Sequence, residues 1–222
     1  MLAPIILSIK VAMIATAIAF CLGTFFAYLL TKENIPGRNI WETLIIIPLV
    51  LPPSVVGYLL LKLFGKRGPI GAFLLNTFDV QVVFTWLACV IAATVVALPL
   101  MYQNAKGAFQ SVDHSYELAA RTLGSRPFKV FLTVTVPLSI PGIISGIVLT
   151  FARALGEFGA TLMLAGNIPG RTQTMTTAIY YASVTGKDDM ATTLVMVMVL
   201  FSFTLVFGLN LWLKRRKKKG GW

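Results

Sequence analysis

The stretch Ser115-Tyr-Glu-Leu-Ala-Ala-Arg-Thr-Leu-Gly-Ser-Arg-Pro-Phe-Lys-Val-Phe-Leu-Thr-Val-Thr-Val-Pro137 places Glu117, Arg121, Arg126 and Lys129 close together in a chain that is otherwise apolar enough to sit in lipid. Charge at that density is tolerated only by water or by a partner protein, so the stretch must face an aqueous compartment. Local signals make its first half a short helix. Ser115 can cap it, Glu117 suits its positive N-terminal end, Ala119 and Ala120 favour helix, and Gly124 can stop it. Pro127 then prevents the helix from running straight on. Glu117 and Arg121 are spaced to share a face, and the alanines allow a partner's backbone to come close, so the segment has the form of a docking helix.

Outward from this stretch the chain is hydrophobic. It has 222 residues, 57% of them hydrophobic and 12% charged, with a mean hydropathy of +0.82. A soluble domain carries roughly 25% charged residues, so this is an all-α integral membrane protein with one transmembrane domain over 1–222. Crossing a bilayer takes about twenty apolar residues. Five stretches qualify: Val11 to Leu30, Leu44 to Phe64, Val80 to Tyr102, Val130 to Phe151, and Ala191 to Leu213. Between the third and fourth lies the polar loop 113–129, and 214–222 is a basic tail. Lys10 precedes an apolar run too long for a signal core, so the first stretch reads as a retained span.

The net charge of +11 comes largely from residues flanking the spans and from the run Lys214 to Lys219, which reads as topology rather than nucleic-acid binding. With the carboxyl terminus cytoplasmic, twelve Lys and Arg fall on inner segments and six on outer ones, Arg153 left aside. The positive-inside rule then puts the amino terminus outside and the 113–129 loop in the cytoplasm. The tail reads as an anchor to lipid headgroups.

Within the spans, Ala15, Ala19, Gly23 and Ala27 form a small-residue stripe for close packing, either inside one subunit or between two. Gly142 and Gly146 form a GxxxG with the same meaning. The second span holds Pro48, Pro52 and Pro53 with Ser54 and Gly57, a broken helix that is either a pathway element or a packing kink. Lys62 to Gly71 reads as an outer turn, and Thr172 to Ser183 as a short outer or re-entrant helix. Arg153 and Glu157 are four apart, so on a continued helix they pair, and exchanging them should partly restore function; otherwise Arg153 guides an anion. Cys21 and Cys89 read as two buried thiols without metal-like spacing, and His114 as a solvated loop histidine. The sequence has no GxxxxGK[ST] loop and no histidine cluster or nucleophile-base arrangement, so neither ATP hydrolysis nor an embedded enzyme is indicated.

Glu117-Leu-Ala-Ala-Arg-Thr-Leu-Gly124, followed by Val134-Thr-Val-Pro137, resembles the EAA loop of the permease subunits of binding-protein-dependent ABC importers. The acid stands one step earlier than usual, with Leu118 six positions before the glycine. The resemblance implies that Glu117, Leu118, Ala119, Ala120, Arg121, Thr122, Leu123 and Gly124 form a cytoplasmic coupling helix seated in a cleft of the ATPase subunit. Arg153-Ala-Leu-Gly-Glu-Phe-Gly-Ala-Thr161 with Gly166-Asn-Ile-Pro-Gly-Arg-Thr-Gln-Thr174 resembles the oxyanion permeases of the molybdate and sulfate transporters, the molybdate type above all. The family implies a second permease copy, two ATP-binding subunits that hold ATP and Mg, and an external oxyanion-binding protein. A pathway or gate would involve Pro52, Pro53, Ser54, Arg153, Glu157 and Thr161, and this chain would bind no cofactor itself. Tungstate is an equivalent cargo, and a sulfate or thiosulfate permease is the neighbouring reading. From another class, an ion-coupled secondary transporter or channel would need buried acids and internal repeats, and Glu157 is the one candidate acid near a span.

Overall fold

The computed structural model describes residues 2–32 and 35–220, and among them it forms helices and no strand. In chain order these are α1 (Leu2–Lys32), α2 (Arg38–Val50), α3 (Pro53–Phe64), α4 (Pro69–Phe78), α5 (Trp86–Gln110), α6 (His114–Thr122), α7 (Pro127–Val130), a π-turn (Phe131–Thr135), α8 (Val136–Leu155), α9 (Gly159–Ala165), α10 (Met175–Val184) and α11 (Asp188–Gly220). Among the described residues, α1, α5, the run from α7 through α8, and α11 are each long and apolar enough to cross a membrane.

The second apolar stretch is not a straight span. It is the pair α2 and α3, bent by 114°. Two adjacent prolines cause the bend. A residue that precedes proline is pushed out of the helical region. Leu51 precedes Pro52 and adopts ψ 143°, and Pro52 precedes Pro53 and adopts ψ 135°. Two consecutive extended residues cannot continue a helix, and Pro53 then opens α3 at a position where its missing N–H costs nothing. Pro48, inside α2, has no such neighbour and is absorbed.

Other boundaries also move. The first helix starts at Leu2, well before Val11, because Lys10 does not break it: its ammonium lies 4.2 Å from the centre of the Trp86 ring, which satisfies the charge on the helix flank. The third span starts at Trp86 rather than Val80, behind a turn with Asp79 and Phe84 at positive φ and with Thr85 as N-cap. The turn expected over Lys62 to Gly71 is shorter, since Pro69 starts α4. In the basic tail Lys214, Arg215 and Arg216 are exposed. The anchor reading of Lys217, Lys218 and Lys219 and the orientation count at Lys32 rest on side chains outside the described residues.

Small residues bind the bundle together. Ala15, Ala19 and Ala27 are fully buried in the groove between α1 and α5, and a Cβ on Gly23 would come within 3.0 Å of Met101. The GxxxG of α8 meets α5 from the other side: Cβ atoms added at Gly142 and Gly146 would come within 2.5 Å of Ala108 and 2.8 Å of Asn104. Both small-residue patterns therefore serve packing inside this chain, where close backbone approach supplies the dispersion contact that lipid cannot better. Cys21 lies inside a candidate span but faces outward from the chain on α1, whereas Cys89 is buried within it with its thiol 3.6 Å from the Thr172 carbonyl.

Candidate functional site

Two polar constellations stand out from the apolar bundle. The first is the segment around α6. Its N-cap is Asp113, whose carboxylate accepts from the Ser115 N–H at 2.9 Å, so Ser115 is the second residue of the helix and not its cap. That bond holds the Asp113 carboxyl below its ordinary value. A depressed carboxylate stabilises above the ordinary range, and its contribution disappears as pH falls through the lowered value. Asp113→Ala is therefore expected to speed amide hydrogen exchange at Ser115 to Glu117 near neutral pH, with the difference from wild type closing in acid. Equal exchange rates at neutral pH would sink the capping assignment.

At the other end the helix closes as its sequence suggests. Gly124 adopts φ +82°, its N–H donates to the Arg121 carbonyl at 2.9 Å, and the Ser125 N–H reaches back to the Ala120 carbonyl at 3.2 Å. This pair of bonds is a Schellman ending, and glycine takes the left-handed residue without strain. Leu118, Ala119, Arg121, Thr122 and Leu123 are exposed and Ala120 is half-buried, with Leu123 87% exposed. Glu117 behaves differently. It is the buried residue of α6, 3% exposed, so it does not share an outer face with Arg121. Its Oε1 accepts from the Thr135 hydroxyl at 2.6 Å, and its Oε2 lies 3.5 Å from Nδ1 of the exposed His114.

The second constellation brings two helix breaks together. The break between α2 and α3 exposes Pro52, Pro53 and Ser54. The break between α8 and α9 lies against it: a Cβ on Gly159 would be 3.0 Å from Pro53 Cβ and 3.2 Å from the Ser54 nitrogen. One turn on, a Cβ on Gly57 would be 2.7 Å from Met163 Cβ and 2.8 Å from Ala160 Cα. The helices α3 and α9 touch backbone to backbone.

Arg153 and Glu157 do pair, Nη1 to Oε2 at 2.9 Å, but not on a continued helix, because α8 ends at Leu155. The pair instead spans the break. Glu157 Oε1 accepts from the Ala160 N–H at 2.8 Å at the start of α9, and its carbonyl accepts from the Thr176 hydroxyl at 2.7 Å. Arg153 in the last turn of α8 and Glu157 ahead of the first turn of α9 thus match the polarity of the two helix ends. Thr161 is seated inside the chain, 1% exposed, while Ser54 is open.

Reading the sequence missed Thr135, the cap at Asp113, and a third set of charges. In that set Glu42 on α2 accepts from Arg38 at 2.9 Å and from Lys106 of α5 at 2.8 Å, tying the bent pair to the central helix. Asp113 was legible, since aspartate caps as well as serine. Thr135 and Lys106 left no local signal.

The family model described as "Binding-protein-dependent transport system inner membrane component" matches residues 5–219. The chain is 47% identical over 176 residues to the molybdenum transport system permease protein ModB of Escherichia coli (strain K12), covering 79% of this chain and 77% of that one. It is 31% identical over 210 residues to the sulfate transport system permease protein CysT of Salmonella typhimurium, covering 93% and 76%. Among solved structures it resembles an inward-facing form of the MetNI methionine ABC transporter, with a TM-score of 0.74 at 14% identity over 96% of this chain and 94% of that one. With four crossing helices, a bent fifth, and a family match over nearly its whole length, the chain belongs to the inner-membrane components of binding-protein-dependent transport systems.

Proposed function

We propose that the chain is the membrane subunit of an ATP-driven oxyanion importer whose cargo is molybdate, with tungstate as an equivalent. The observation that carries this reading is the capped and exposed α6 segment, held between two crossing helices of a chain that has no phosphate-cradling loop. Energy must then come from a separate subunit, and α6 is the surface that subunit can grip. The choice of oxyanion rests on the molybdenum permease relative, which is more similar than the sulfate one.

In this reading two copies of the chain form a pathway along their shared interface, each copy seating one ATPase that holds ATP and Mg, and an external binding protein delivers the anion. The excess of basic residues on the inner segments supports an outer amino terminus and a cytoplasmic carboxyl terminus. Because Glu157 already neutralises Arg153, the gate region offers the anion no free cation at that point. Passing stabilisation falls to the exposed Ser54 hydroxyl and to backbone N–H groups beside the breaks. Weak holding suits a pathway, since a site that binds tightly does not release.

The test is ATPase activity of the chain reconstituted in vesicles with its ATPase, adding binding protein loaded with molybdate, tungstate or sulfate in turn. Stimulation by the molybdate-loaded and tungstate-loaded forms and not by the sulfate form is the expected result. Equal stimulation by sulfate overturns the choice of cargo. Anion uptake driven by an ion gradient without ATP overturns the importer itself.

A further inference from the structure

A helix that only docks onto a partner needs its polar residues on the outside, yet α6 turns its one acid inward. Glu117 is 3% exposed, and the hydroxyl that donates to it belongs to Thr135, itself fully buried. Thr135 is the last residue of the π-turn, which leads directly into α8. The turn has a local cause. Pro137 has no N–H for the Thr133 carbonyl, and its ring crowds that carbonyl in an α-helical path, so the chain widens just ahead of it. Phe131 at the other end of the turn is fixed in the core, its ring 4.2 Å from that of Tyr28 and 5.3 Å from that of Phe109. The π-turn is therefore held on one side by aromatic packing against α1 and α5 and on the other by the Glu117 carboxylate.

From this geometry we infer, resting on the importer reading above, that the Glu117 to Thr135 hydrogen bond is the joint that carries displacement of α6 into α8, and that Glu117 positions the coupling helix without touching the ATPase. A hydroxyl donating to a buried carboxylate is among the stronger hydrogen bonds available to a chain. It joins residues eighteen apart, across the Schellman ending and the whole of α7. Between α6 and the helical run that begins at Pro127 the chain itself is linked only by the non-helical residues 123–126, with Leu123 87% exposed. α8 in turn carries Arg153 in its last turn and ends at Leu155, beside the break that faces α3. The docking contacts then fall to the outward residues of α6 and its ending, Leu118, Arg121 and Leu123.

The experiment compares Thr135→Val and Thr135→Ser in the reconstituted complex with molybdate-loaded binding protein, reading anion transported per ATP hydrolysed together with the amount of ATPase that copurifies. Removing a hydrogen bond to a charged group should lower the transport-to-hydrolysis ratio by about tenfold in Thr135→Val, and Thr135→Ser should restore it. The ATPase should copurify with both variants as it does with wild type. An unchanged ratio in Thr135→Val overturns the joint, and so does loss of the ATPase from the complex, which would make the pair part of the docking surface. If Thr135→Val does not insert, Glu117→Gln replaces it: the bond becomes a neutral one of about half the strength, and an intermediate ratio is expected. A wild-type ratio in that variant overturns the inference. Failure of the wild-type complex to couple at all counts against the importer reading instead, which keeps the two apart.

Discussion

Glu157→Ala is expected to be the most destabilising single substitution at the two helix breaks, lowering the unfolding temperature of the purified protein by on the order of 10 °C. Three groups lose their partner at once. The Arg153 guanidinium loses its counter-ion at 2.9 Å, the Ala160 N–H loses its acceptor at 2.8 Å, and the start of α9 loses the negative charge that matches it. Arg153, 28% exposed, regains some water, but the Ala160 N–H and the start of α9 that Glu157 served lie inside the chain and do not, since Ala160 is fully buried and the Glu157 side chain is 2% exposed. The order of the series follows. Glu157→Gln keeps an acceptor for Ala160 and should fall least, and Arg153→Ala should fall between the two, since Glu157 keeps its backbone bond but is left as an unpaired carboxylate 2% exposed. Thermal unfolding followed by tryptophan fluorescence reads the order, and Arg153→Ala costing more than Glu157→Ala would refute it.

The same geometry changes what an exchange of the two residues would do. From spacing alone, swapping arginine and glutamate should partly restore function if they pair. The structure keeps the pair but withdraws the rescue: a guanidinium at position 157 would sit against the Ala160 N–H at the start of α9, donor against donor. Failure of the swap therefore does not point to an anion-guiding Arg153.

What could be read without coordinates was whatever depends on nearby residues. The double proline, Gly124 as a stop, the i,i+4 spacing of Arg153 and Glu157, and the small-residue stripes all act within one or two helical turns, and each appears in the fold. What could not be read depends on residues far apart in the chain. Lys10 stays inside α1 because Trp86 receives it, and α2 leans on α5 because Lys106 reaches Glu42, 64 residues away. The inward turn of Glu117 needs Thr135, and Thr135 faces it only after the π-turn has shifted the helix phase. Hydropathy likewise located the second apolar stretch but carried no bend angle, since 114° follows from two backbone torsions and not from composition. Thr161 looked like a pathway hydroxyl because it is polar in an apolar run; it is buried inside the chain.

Gly57→Leu is expected to leave the protein inserted and to cut transport to less than about a tenth of wild type, because the contact it destroys has nowhere to move. A Cβ at this position would stand 2.7 Å from Met163 Cβ and 2.8 Å from Ala160 Cα, and the second of these is backbone. A flexible side chain could swing away, but a Cα can yield only if α9 moves bodily. α9 is a short helix, held at one end by the Glu157 bond and filled inward by Leu164, which is fully buried. The added side chain therefore pries α3 from α9 along the seam where the two breaks meet, while the rest of the bundle, held by α1, α5 and α8, keeps its packing. Gly57→Ala should already impair transport, which distinguishes a backbone clash from a simple limit on side-chain size. Gly208→Leu is the matched control, since a Cβ on α11 there meets nothing within 4 Å. If Gly57→Leu transports as well as Gly208→Leu at equal membrane abundance, the α3 to α9 seam is packing alone. If it fails while the ATPase still copurifies, the seam takes part in the movement that α6 receives from outside and α8 carries to the break.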